Sequence, residues 1–114
     1  MSVRYQFYRP ENGVTKKTTI DNVLDDNQPF GTADDVKSKL SACFPALQWR
    51  QVADLPGEPW FGESDDVIVQ FGYERDGSIM HVLMHDGAVE NVRKAAKGLQ
   101  AAAVDAIEEK LVPW

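Results

Sequence analysis

A chain of 114 residues, 43% hydrophobic and 26% charged, has the size and composition of a single domain with its own core, which excludes wholesale disorder and removes the need for covalent staples. Eighteen acidic against twelve basic side chains give a net charge of −6 and a pI near 4.8, so a nucleic-acid role, which requires a basic footprint, is disfavoured and a basic partner is favoured. Cys43 is the single cysteine, which rules out an intrachain disulfide, and no run approaches a membrane span or a signal peptide, which makes the cytoplasm the expected compartment.

Val3, Tyr5 and Phe7 alternate with Arg4, Gln6 and Tyr8, the period-two pattern of a half-buried first strand. Pro10-Glu11-Asn12-Gly13 supplies turn chemistry, and the β-branched but polar run over 14–20 predicts the return strand of a hairpin, with Lys16 and Lys17 guarding an edge. Residues 21–31, rich in Asp, Asn, Pro and Gly, read as a loop. A helix follows, capped by Thr32, with Asp34 and Asp35 at the positive end of its dipole. Its apolar stripe is Ala33, Val36, Leu40 and Cys43, and Pro45 ends it by about Phe44. Cys43 is thereby placed as a small core hydrophobe rather than a nucleophile.

Leu47 and Trp49 alternate with Gln48 and Arg50 in a short third strand, and residues 53–66, with two prolines, two glycines and several carboxylates, read as a long loop. Residues 67–85 then predict a β-hairpin whose core face carries Val67, Val69, Phe71, Tyr73, Met80, Val82 and Met84. The other face carries Ile68, Gln70, Gly72, Ile79, His81, Leu83 and His85, too mixed for a second core and too apolar for a wetted back. A four-residue turn places Asp66 opposite His85.

Ala88, Val89, Val92, Ala95, Ala96 and Leu99 form a second helical stripe. Two continuations stand: a helix kinked near Gly98 and running to the end, which propensity favours, or a stop with Gly98 as the cap and a last strand over 102–107. The fold class expected is α+β, an antiparallel sheet of about five strands with two helices packed on one face.

Both histidines lie on the hairpin. On a strand, His81 and His85 share a face but stand roughly 13 Å apart, too far to clamp one ion, so no metal and no cofactor is expected. The chain also lacks a nucleophile motif, a phosphate loop, Cys-x-x-Cys and His-Glu-x-x-His, which points away from catalysis. A small hydrolase or metal enzyme built on His81, His85 and Asp66 is the third-ranked reading.

Within residues 55–66, Trp60 and Phe61 sit among Glu58, Glu63, Asp65 and Asp66, the composition of an aromatic interface anchor inside an acidic rim; the competing role for Trp60 is a plug over the core. Trp49 is expected in the core and Trp114 at one end of it. In size, charge and lack of catalytic motifs the chain resembles small acidic bacterial immunity proteins, which neutralise a toxin by tight binding. That resemblance implies a non-catalytic inhibitor of a basic enzyme or toxin. The second reading is a self-associating structural or ligand-binding domain that pairs through Ile68, Ile79, His81, Leu83 and His85 on the open sheet face, as a homodimer.

Overall fold

A computed structural model describes residues 4–10, 13–15, 17–25, 27–51, 59–65, 67–73, 78–85 and 88–112. Among them, strands β1 (Arg4–Pro10), β2 (Asn27–Gln28), β3 (Gln48–Gln51), β4 (Trp60–Glu63), β5 (Ile68–Tyr73), β6 (Ile79–His85), β7 (Ala102–Asp105) and β8 (Lys110–Leu111) alternate with helices α1 (Ile20–Asp25), α2 (Ala33–Cys43) and α3 (Val89–Leu99). The sheet is antiparallel throughout and runs β3-β4-β5-β6-β1-β7-β8, with β2 pairing the far end of β1. The class is α+β, with seven strands on the main path rather than five.

Alternation on β1 divides the molecule. Tyr5 and Phe7 point to one face, where Val69, Phe71, Val82 and Met84 of the hairpin meet Val36 and Leu40 of α2 and Val92, Ala95, Ala96 and Leu99 of α3. Both longer helices therefore pack on one face, as the two apolar stripes require. Tyr8 points the other way, into a smaller cluster in which Val14 and α1, through Ile20 and Val23, pack on Ala102, Val104 and Leu111.

Three expectations fail, each for a local reason, and the structure decides one choice left open. The described residues of the run over 14–20 form no strand: the Thr15 N–H donates to Thr18 Oγ1 at 2.9 Å and the Lys17 N–H to Thr15 Oγ1 at 3.2 Å, so threonine hydroxyls take backbone groups that a ladder needs. The stretch 21–31 is not all loop, because α1 forms where Ile20 and Val23 find an apolar surface. The stretch 53–66 contains β4, whose ladders to β3 and β5 outweigh its turn-like composition. Residues after Leu99 do not continue as helix. Gln100 takes the left-handed conformation at φ 55°, the Ala101 N–H reaches back to Ala96 O at 2.8 Å, and β7 follows. Ala101 through Val104 are all buried, so β7 is covered on both faces and packing overrides the helix propensity of alanine.

Gly98 has a different duty from capping. A Cβ there would lie 2.4 Å from Cys43 Sγ, so the absent side chain is what lets α3 close on α2. Cys43 is half-buried with Sγ 3.6 Å from Lys94 O, and burial raises its thiol pKa, which keeps it protonated near neutral pH.

Other expectations match. Thr32 caps α2 in a capping box: its Oγ1 accepts the Asp35 N–H at 3.2 Å while Asp35 Oδ2 accepts the Thr32 N–H at 3.1 Å. Trp49 packs on the core, edge-to-face with Phe71 at 5.7 Å between centroids, and its indole N–H donates to Ser41 Oγ at 2.9 Å. Trp114 and the side chains of Tyr73 and Met80 lie outside what is described.

Candidate functional site

The hairpin fixes the candidate site through its register. Ile68 pairs with His85, Gln70 with Leu83, and Gly72 with His81, before an irregularity at Gly72/Tyr73. This is two residues from the register that would set Asp66 opposite His85; an even shift leaves every side chain on its expected face but gives His85 a different neighbour. Asp66 itself lies outside the described residues, and the His85–Asp66 pairing is replaced by Ile68 across the ladder. The irregularity also moves Ile79. It was expected on the open face, yet it is fully buried, held by the Phe30 N–H donating to its carbonyl at 2.7 Å and by its own N–H donating to Gly31 O at 3.2 Å. Ile79 thus belongs to the core and leaves the proposed sheet-face set.

The remaining members come together. Across β3, β4, β5, β6 and β1, one row reads Arg50, Phe61, Gln70, Leu83, Gln6, and the next reads Gln48, Glu63, Ile68, His85, Arg4. Phe61, Leu83 and His85 are half-buried, while Ile68, at 38% exposed, and His81 are open to solvent. The smaller cluster over β1, β7 and β8 shares this side of the sheet, so the β3–β6 half is the part presented outward.

Each imidazole meets the side-chain amide of a glutamine. Gln6 Nε2 donates to His81 Nδ1 at 3.0 Å, and His85 Nε2 meets Gln70 Oε1 at 3.3 Å. These glutamine bridges hold both rings along the sheet surface. Among the described residues no group of three His, Cys, Asp or Glu could hold a metal ion, and none of their helices is long and apolar enough to cross a membrane.

Within the acidic aromatic stretch, Trp60–Glu63 form strand β4, and its two aromatics do not act together. Trp60 and Phe61 are neighbours on β4 and point to opposite faces. Trp60 pairs with Phe71 on the helix side, packs against the main core, and lies under Lys37 of α2, whose Nζ is 3.8 Å from the ring centroid. Its placement is that of a core-edge residue. Phe61 is on the open face, with the Arg50 guanidinium 5.2 Å from its centroid, and Arg50 in turn donates to Glu63 Oε1 at 2.9 Å. Asp65 is exposed in the tight turn closed by the Ser64 N–H to Val67 O at 2.9 Å, while Glu58 lies outside the described residues.

Sequence reasoning missed Arg50 as a member of this face. The signal was present in the alternation of Leu47 and Trp49 with Gln48 and Arg50, but placing Arg50 beside Phe61 required knowing that β4 exists. Gly62 was unassigned as well; a Cβ there would lie 2.8 Å from the Trp49 ring, so glycine is what allows the indole to lie flat on β4. The chain matches no protein-family profile, and no curated protein or solved structure shows significant similarity to it.

Proposed function

We propose that this chain is a non-catalytic binding protein of the inhibitor or immunity type, which takes a basic enzyme or toxin against the outward face of β3–β6 in the cytoplasm. The observation that carries this reading is the pair of rows centred on Phe61, Ile68 and Leu83. An apolar centre with an aromatic, an arginine and few uncompensated charges has the make-up of an interface core, with Glu63, Asp65 and Arg4 at its margin. The net charge of −6 supports a basic partner, because it accelerates encounter with a cationic surface.

The test is co-purification followed by kinetics. The captured partner should be basic, Ile68→Arg should abolish its binding while leaving the melting temperature unchanged, and raising salt should slow association. Undiminished binding by Ile68→Arg would refute the face. A second copy of the chain is the alternative occupant, favoured by the local balance of Arg4 and Arg50 against Glu63 and Asp65. Salt separates the two, since self-association of a chain carrying −6 strengthens as salt screens the repulsion.

A further inference from the structure

Two aromatic rings flank β4, and each already holds a cation of this chain. The two pairs differ in how firmly they are held. Lys37 over Trp60 sits against the main core with its side chain 24% exposed and a second contact to Asp34 at 3.6 Å. Arg50 over Phe61 is at the surface, with the Arg50 and Glu63 side chains 62% and 48% exposed. A surface ion pair of that kind contributes between nothing and about 1 kcal/mol, so exchanging its cation for another costs little.

We infer that the Phe61 ring and the Glu63 carboxylate form a guanidinium-accepting site, occupied in the free protein by Arg50 and passed to an arginine of the basic partner when the two dock. This rests on the partner reading above and names the side chain the face would select. The geometry is the argument: the ring offers a face to a planar cation at 5.2 Å while Glu63 Oε1 accepts one of its N–H groups at 2.9 Å. Arginine satisfies both at once because its charge is spread over a plane with donors at the edge, whereas a lysine ammonium is a compact, strongly hydrated charge that gains less from the ring. An arginine delivered by a partner arrives with water excluded, where the same contacts are stronger than they are for exposed Arg50. Arg50 is then a placeholder that occupies the ring and the carboxylate until exchange, and its removal should help binding rather than harm it.

The experiment needs no partner. Arginine amide is titrated into the parent, Arg50→Ala, Arg50→Ala with Glu63→Gln, and Arg4→Ala, following backbone amide resonances by NMR, with lysine amide as the charge-matched control. Arg50→Ala should bind arginine amide about fivefold more tightly than the parent, the factor that a competitor at the top of the surface-pair range provides. The shifts should centre on β3 to β5, and the added Glu63→Gln should abolish them. Arg4→Ala removes the same unit of charge from the far side of the face and should behave as the parent. Equal responses from parent and Arg50→Ala, equal binding of the two amides, or retention of binding after Glu63→Gln would each overturn the inference. Arg50→Gln is the second variant, should Arg50→Ala loosen the edge strand. A partner that ignores Ile68→Arg would remove the docking face and leave this titration standing; a failed titration beside a partner lost on Ile68→Arg would remove the guanidinium site alone.

Discussion

Replacing Gly98 by alanine should destabilise the protein, and the same replacement should stabilise it once Cys43 is gone. Within a helix, Gly→Ala ordinarily gains about 0.5–1 kcal/mol by reducing backbone freedom in the unfolded chain. Here the new methyl would stand 2.4 Å from Cys43 Sγ, well inside van der Waals contact, so either the thiol leaves its place beside Lys94 O or α2 and α3 part. Overpacking of this kind costs about 1–3 kcal/mol, which leaves a net loss of about 1 kcal/mol. With the sulfur removed, the nearest remaining atom is Lys39 O at 3.9 Å, an ordinary contact, and only the helix gain survives. Urea melts of the parent, Gly98→Ala, Cys43→Ala and the double variant should therefore show a coupling of about 2 kcal/mol between the sites. The Gly98→Ala step should change sign between backgrounds, a difference of several degrees in melting temperature. If Gly98→Ala cost the same in both backgrounds, the account of how these helices meet would be wrong.

Phe71, fully buried and edge-on to Trp49, should lose about 3–5 kcal/mol on truncation to alanine, while His81→Ala should stay within about 0.5 kcal/mol in denaturant melts. Trp60→Ala should lower stability by about 2 kcal/mol, half the cost for a fully buried tryptophan, and leave partner affinity in the folded fraction intact; Phe61→Ala should do the reverse. The carboxyl of Asp35 is held below its ordinary 3.8, first by the Thr32 backbone N–H and then by the Thr32 side chain, so the native state favours the ionised form. That contribution is present above pH 3.8 and fades as pH falls through the lowered native value. Asp35→Asn should be less stable than the parent at pH 7, and the gap should close in acid when melts are compared across pH.

What was legible in the sequence was whatever is decided locally. Thr32, Asp35 and Pro45 bracket α2 by hydrogen-bond chemistry within a few residues, and the alternation over 67–72 and 81–85 settles the faces of those parts of the hairpin whatever the register. What failed was decided by distant partners. β4 is a strand because β3 and β5 lie on either side of it, and β7 is a strand because α3 and α1 cover its two faces, which is also why its residues are small. The candidate site divides the same way. His81, His85, Leu83 and Ile68 were placed by alternation alone, whereas separating Trp60 from Phe61 and joining Arg50 to Phe61 needed the unrecognised strand, and Ile79 was lost to a break in the ladder that no local pattern announces.

The position of β1 bears on how the chain is made. Tyr5 lies opposite Met84 in one ladder and opposite Asp105 in the other, so β1 is enclosed only after both distant strands have been made. Synthesis at about 5–20 residues per second puts roughly 5–20 s between Tyr5 and Asp105, of which about 1–4 s separate Met84 from Asp105. Until β6 is made, β1 carries Tyr5 and Phe7 without the hairpin and the helix α3 that will bury them, and until β7 is made its other edge stays unpaired. Long-range antiparallel closure of this kind belongs to the slower class of small-domain folding, because most of the loop entropy is lost before the pairing is gained. This interior strand of the native sheet is thus the segment most open to mispairing with other chains while the protein is being synthesised.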